Sequence, residues 1–237
     1  CSAGYLLDFL RSTRCDYLYL VGDIIDIWQM KRKLHWPQAH NDVIRTLLGK
    51  AKHGTRIIYV TGNHDELLRD YSGMSFGNLT LVDEAIHQTR CGKRCLVIHG
   101  DQFDGVVTNS RMLALLGSAL YEVLLKANTW VNILRRRCGL SYWSLSNMLK
   151  HRVKEAVKYI SNFETALVHE ARTHRVDGVI SGHIHRAEIT RFDDIIYCNC
   201  GDWVESCTAL VETHQGCMEL LHWTDKQQSI KQHDLAA

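Results

Sequence analysis

A single proline, Pro37, occurs in 237 residues, which excludes a proline-rich linker, a polyproline ligand or a collagen-like repeat. No Ser/Gly/Pro-rich stretch divides the chain, and neither internal repeats nor low-complexity tracts occur. The length therefore suits one domain able to bury a large core. The nine cysteines are odd in number and lack zinc-finger spacing. They fit reduced thiols of a cytosolic protein, with Cys198 and Cys200 as small buried hydrophobes. The longest apolar stretch, Met112 to Leu134, approaches the ~20 residues of a membrane span. Glu122 and Lys126 sit inside it at the i,i+4 spacing of a surface ion pair, which excludes a transmembrane helix. No recognised nucleic-acid module is present.

What the chain does contain is an ordered series of short polar clusters. Gly22-Asp23, Gly62-Asn63-His64-Asp65, His99-Gly100-Asp101, Gly182-His183-Ile184-His185 and Gly201-Asp202 follow one another. Most stand directly after apolar, β-type runs: Tyr17 to Val21, Arg56 to Thr61, Cys95 to Ile98 and Val179 to Ser181. Continuous apolar runs are the pattern of parallel strands buried on both faces. Open α/β sheets bind ligands at the carboxyl ends of such strands. The layout therefore predicts that Asp23, Asn63 and several histidines converge on one rim as a metal site, with two ions.

The residue types fit that chemistry. A carboxylate such as Asp23 can bridge two cations, while Asn63 and neutral imidazoles complete the shells without adding charge. The mixed oxygen and imidazole set suits a transition metal better than calcium: manganese first, with zinc, iron or magnesium as alternatives. Two ions ~3.5–4 Å apart lower the pKa of a shared water and clamp an in-line phosphoryl displacement. Asp65, beside His64, is placed to orient that imidazole.

Taken together, the series Gly-Asp, Gly-Asn-His-Asp, His-Gly-Asp and Gly-His-x-His resembles the calcineurin-like metallophosphoesterase superfamily. The stretches GDIIDIW, VTGNHDE, VIHGDQFD, SGHIHRAEI and NCGDWVES most resemble the UDP-2,3-diacylglucosamine pyrophosphohydrolase family of lipid A biosynthesis. The resemblance runs from Asp16 to about Glu212. It implies an α/β fold, a layered β-sandwich with flanking helices, and hydrolysis of a phosphoester by metal-activated water. It also implies that Asp23 bridges the metals and that Asn63, His99 and His183 complete one shell. His185 would belong to the other metal, and His64 would be the general acid near the leaving group. The family opens with a strand carrying Asp-x-His, and no such motif precedes Asp23 in this sequence, which starts at Cys1 without Met. The expectation is that the native N-terminus is lacking here. Were that motif truly absent, a non-catalytic metal-binding protein would be the alternative.

The run of apolar periods predicts helices at Tyr5 to Ser12, Ala39 to Lys52 and, briefly, Glu66 to Tyr71. Strands are expected at the four runs above, as shorter strands after Leu79 that end with Cys95 to Ile98, then at Ala187 to Phe192, Ile195 to Asn199, Ala209 to Thr213 and Met218 to Trp223. Between the halves, a helical insert of about 105–172 holds ten Lys/Arg against four Asp/Glu, leaving eighteen against twenty-two elsewhere. Leu120, Leu124 and Trp130 of this insert suit acyl chains, and Arg135, Arg136 and Arg137 suit phosphates or anionic headgroups. The expected substrate is therefore a UDP-diacylglucosamine-like nucleotide-diphospho-lipid, with another lipid or nucleotide phosphoester as the alternative. The expected location is cytoplasmic, with peripheral contact at the anionic inner face of the membrane.

Overall fold

The computed structural model describes residues 1–32, 36–104 and 160–224. The chain divides into two compact units, one comprising Cys1–Asp101 with Leu167–Ala237 and the other Gln102–Ala166. Most of the second unit, residues 105–159, lies outside the described residues. So do Leu120, Leu124 and Trp130, expected to suit acyl chains, and Arg135, Arg136 and Arg137, expected to suit phosphates or anionic headgroups. Residues 160–173 are helical. Among the described residues no helix is long and apolar enough to cross a membrane.

The first unit is a mixed α/β assembly. It begins with helix α1 (Ala3–Ser12), strand β1 (Tyr17–Val21), the short helix α2 (Ile27–Arg32), helix α3 (Gln38–Lys52) and strand β2 (Arg56–Val60). A 3₁₀ turn (Glu66–Tyr71) leads to β3 (Ser75–Phe76) and β4 (Leu79–Val82). These strands form a four-stranded sheet in the order β1-β2-β4-β3, parallel except for β3. A five-stranded sheet, β5-β6-β7-β9-β8, is built from β5 (Glu84–Gln88), β6 (Arg94–Ile98), β7 (Gly178–Ser181), β8 (Glu188–Phe192) and β9 (Ile195–Asn199). A separate antiparallel hairpin pairs β10 (Thr208–Glu212) with β11 (Met218–His222).

Side-chain alternation creates the layers. One face of the four-stranded sheet carries Ile57, Leu18, Leu20 and Leu79 against Phe9 and Leu10 of α1 and Val43 and Leu47 of α3. Its other face carries Val60, Tyr19 and Val21 against Cys95, Val97, Ile180 and Cys198 of the five-stranded sheet. Helices therefore cover one sheet, and the second sheet covers the first, as a layered α/β core requires. Val60, Leu96, Val97 and Val179 have no exposed surface, and each buried aliphatic side chain contributes about 1.5–3 kcal/mol. Ile57 to Val60, Val97 to Ile98 and Val179 to Ser181 thereby bring three loops to one rim.

The expected helices and strands occur within a residue or two of their predicted ends. Two elements were not expected from sequence: α2, a six-residue helix with no buried residue, and β3, two exposed residues. Neither leaves an apolar period. The eight described cysteines are free thiols; Cys198 is buried as expected, whereas Cys200 is only half-buried.

Candidate metal centre

The rim is built from backbone turns that only particular residues tolerate. Beyond β1, Gly22 has φ +72°, and a Cβ there would overlap the His99 ring. At Gly62, a Cβ would overlap Asp23 Oδ1. Both glycines are therefore holes cut to let the ligand side chains approach the backbone. Asp23 (φ 55°), His183 (φ 66°) and His185 (φ 53°) all occupy the left-handed region. Such a conformation costs about 1–3 kcal/mol per non-glycine residue and persists where surrounding structure enforces it. Three of the six described non-glycine residues in this region belong to the predicted site.

At its centre is His99, only 2 % exposed. Its Nδ1–H donates to the Val21 carbonyl at 3.0 Å, which leaves the Nε2 lone pair pointing inward. Nε2 lies 3.4 Å from Asp23 Oδ2, 3.3 Å from Asn63 Oδ1 and 3.3 Å from His183 Nδ1. Asp23, His99 and His183 each offer a ligand atom, all within 4.8 Å of one another. Four acceptor atoms facing one point repel unless a cation sits among them. Asn63 Nδ2 is buried without a hydrogen-bond partner among the described residues, while its Oδ1 is turned toward His99. The donor set of carboxylate, amide oxygen and two imidazoles fits a divalent transition ion.

The charges agree. Burial pushes the Asp23 carboxyl up, but the hydrogen bond and charge of His99 and the His64 N–H outweigh it and lower it to about 2. Burial pushes His99 down, and the bond and charge of Asp23 overcome this, so its pKa is raised.

His64 is outside the ligand cluster. Its backbone N–H donates to Asp23 Oδ1 at 2.9 Å, while its ring Nε2 stands 4.0 Å from Asp23 Oδ2. The carboxylate that meets its ring is Asp26, with Oδ1 3.1 Å from Nδ1. Trp28 lies against the same ring at 4.6 Å between centroids. The orienting role expected of Asp65 is therefore corrected: Asp65 points inward, with no exposed surface. It accepts from the Gly62 N–H at 2.6 Å, the Ile24 N–H at 2.9 Å and the Tyr59 hydroxyl at 2.6 Å. Burial, and then the Asp65 charge, push the Tyr59 phenol up, so it stays a donor. Asp65 thus ties the turn after β1 to the turn after β2. Replacing Asp65 with Ala would orphan three buried donors at about 1–3 kcal/mol each. Thermal unfolding should show a loss of at least ~3 kcal/mol, whereas Asp26→Ala should leave the melting temperature nearly unchanged.

His185 is exposed and is not a member of the metal-compatible group found among the described residues. It lies near Asp202: burial raises that carboxyl, but Ser206, the Glu205 and Val204 N–H groups and the His185 charge lower it overall. Asp26, Trp28 and Asp202 were not assigned from sequence. For Asp26 the signal was available as a second carboxylate three residues after Asp23, in the turn that also carries the metal ligand. A further clamp joins Arg69 Nη2 to both oxygens of Asp101, at 2.9 and 2.7 Å, fixing the 3₁₀ turn after His64 to the exit of β6.

A strand rim bearing a carboxylate, an amide and two histidines around one point marks an α/β protein with a candidate metal centre and an Asp-His pair beside it. Residues 3–187 match the calcineurin-like phosphoesterase family, and the chain belongs to it. A stretch of 91 residues is 28% identical to a UDP-2,3-diacylglucosamine hydrolase of Stutzerimonas stutzeri (strain A1501), covering 38% of this chain and 37% of that one. The chain thus aligns with little more than a third of that relative. Among solved structures it is similar to a novel archaeal phosphodiesterase at 12% identity and TM-score 0.41, over 93% of this chain and 90% of that one. It is also similar to a predicted phosphoesterase of Streptococcus pneumoniae at 12% identity and TM-score 0.38, over 94% and 83% of the two chains.

Proposed function

We propose that this protein is a metal-dependent pyrophosphohydrolase acting on a nucleotide-diphospho-lipid of the UDP-diacylglucosamine kind. The observation that carries the reading is the convergence of Asp23, Asn63, His99 and His183 on one point with His64 poised beside it. When bound, divalent cations at these residues supply Lewis acidity that lowers the pKa of water and neutralises phosphate charge. The residues of the chain do the rest. Asp26 accepts from Nδ1–H of His64, which presents Nε2 toward the rim. His64 is then the group that gives a proton to the departing phosphate oxygen. Asp65 and the Arg69–Asp101 pair hold the two turns that carry these groups in register. His185, with Asp202 near it, faces solvent beside the same rim and is the residue we assign to a second ion, manganese being the first choice for both.

The substrate class is supported by the named relative and by the motifs GDIIDIW and NCGDWVES. Support for the lipid portion comes from the composition of the insert, in which Leu120, Leu124 and Trp130 precede Arg135, Arg136 and Arg137. Peripheral contact with anionic membrane follows from the same residues. Replacing the three arginines with Gln should weaken binding to phosphatidylserine vesicles by ~1 kcal/mol per residue, while hydrolysis of a water-soluble aryl phosphodiester stays intact. The deciding experiment is a hydrolysis screen of UDP-2,3-diacylglucosamine, simple nucleoside diphosphates and aryl phosphodiesters with Mn, Mg, Zn and Fe. Turnover of nucleoside diphosphates alone would overturn the lipid assignment. One tightly held ion without turnover of any substrate would assign the non-catalytic class.

A further inference from the structure

Helix α2 carries a large aromatic side chain that its own packing does not require. None of its six residues, Ile27–Arg32, is buried, and Trp28 is 41 % exposed. A tryptophan ordinarily stabilises a fold by removing its surface from water, so packing does not explain this one. Its position is nevertheless fixed. The indole Nε1–H donates to Glu66 Oε1 at 3.4 Å, and the ring lies 4.6 Å from the His64 ring at an interplanar angle of 34°. An exposed aromatic surface is thereby held beside the group assigned to proton donation.

The helix period decides what stands next to it. Residues three and four apart share one face of a helix, which puts Lys31 and Arg32 on the side of Trp28. A cavity of about 320 Å³ opens there, bordered by Asp26, Trp28, Gln29, Lys31, Arg32 and His64, whereas the apolar Ile27 and Met30 do not border it. Its volume is within the ~300–1,000 Å³ of small-molecule pockets. The acid in it is engaged: Asp26 Oδ1 meets His64 Nδ1 at 3.1 Å and accepts from the Gln29 N–H at 2.9 Å. Lys31 and Arg32 have no ion-pair partner among the described residues. The cavity therefore offers a planar apolar wall, two available cations and the edge of His64. Basic residues in a last turn suit the helix dipole by themselves, but the dipole explains neither the exposed indole nor its placement on His64.

We propose that this cavity seats the leaving group of the reaction, an organic phosphate monoester whose ring lies on Trp28 and whose phosphate meets Lys31 and Arg32. The inference rests on the pyrophosphohydrolase reading. Cleavage of a diphosphate diester joins the water oxygen to one phosphorus and breaks the bond from that phosphorus to the bridging oxygen. The bridging oxygen departs on the second phosphate with the bonding electrons and takes the proton of His64, while the water releases a proton to solvent. The departing phosphate therefore appears beside the imidazole and gains negative charge as it separates, where fixed cations stabilise it most. Lys31 supplies a point charge and Arg32 a planar fork of donors, both suited to phosphate oxygens. An indole face takes a nucleobase by stacking and equally the C–H face of a sugar. A nucleoside monophosphate and a glycosyl phosphate are thus two sources of one chemistry.

The test is a titration of the full chain, with magnesium present, by UMP, glucosamine 1-phosphate and inorganic phosphate. The Trp28 indole N–H is followed by NMR, its resonance assigned by its loss in Trp28→Leu. At least one monoester should shift that resonance, and Lys31→Gln combined with Arg32→Gln should weaken its binding by ~10-fold or more. The monoester with the larger loss identifies the source. Lys52→Gln, which removes an exposed cation from the far end of α3, should bind as wild type. Because α2 buries no residue, these substitutions leave the core intact. The proposal is overturned if neither monoester moves the indole, if the double variant keeps wild-type affinity, or if inorganic phosphate binds as tightly as both monoesters. A shift produced by anionic vesicles and by neither monoester would assign a lipid surface to Trp28 and overturn it too. Monoester binding as expected without turnover of any diphosphate would sink the pyrophosphohydrolase reading and leave the cavity as a phosphate-monoester site.

Discussion

Replacing Asp23 with alanine should abolish hydrolysis and leave at most one weakly held ion per chain. Asp23 is the one ionised oxygen ligand in the cluster, and its Oδ2 faces the His99 ring at 3.4 Å while Oδ1 takes the His64 N–H at 2.9 Å. Without it, Asn63, His99 and His183 are left to bind a cation with neutral donors alone. Metal affinity should fall by more than the ~10–100-fold that follows loss of a residue which only supports a ligand. Asp23→Asn separates charge from shape, since it keeps an acceptor for the His64 N–H and tolerates the left-handed backbone. Metal content by mass spectrometry and turnover of a soluble phosphodiester should fall together in both variants. Two ions at full occupancy in Asp23→Ala would remove this residue from the centre of the site.

Much of that centre was legible before any coordinates, and the reason is local. A strand buried on both faces announces itself by a continuous apolar run, and the ligand stands within a few residues of its end. Asp23, Asn63, His99 and His183 were found that way. What stayed hidden depends on which way a side chain turns after the strand stops. Asp65 is adjacent to His64 in sequence, and adjacency suggested partnership, but a turn sends consecutive side chains in different directions. Asp65 went inward to collect buried donors, and Asp26, from a loop 38 residues away, took the imidazole. The separation of His185 from the cluster is another case. His183 and His185 share a motif, but both adopt left-handed backbone, so the alternation of a regular strand does not predict where either ring goes. Sheet order was equally silent, because an apolar run records that a strand is covered and not which neighbour covers it. The run Tyr17–Val21 recorded more coverage than β1 has.

The second large effect is expected at His64. Alanine there should lower turnover by ~10²–10⁴, the usual scale for general acid–base catalysis, with metal content near wild type. The geometry explains why the two readouts should separate. His64 supports Asp23 through its backbone N–H, and the backbone survives truncation of the side chain. The ring has other work: its Nδ1 is engaged by Asp26 at 3.1 Å, one face is covered by Trp28, and Nε2 is left as the proton-bearing end. Asp26→Asn should therefore reproduce part of the loss by weakening control of the tautomer, and it should add little in the double variant with His64→Ala, because both act through one imidazole. A substrate with a good leaving group, such as a nitrophenyl diester, needs less protonation and should be much less sensitive to either change. Equal losses for good and poor leaving groups would remove the proton from the role of His64 and leave electrostatic stabilisation. Loss of metal along with activity would place its ring among the ligands.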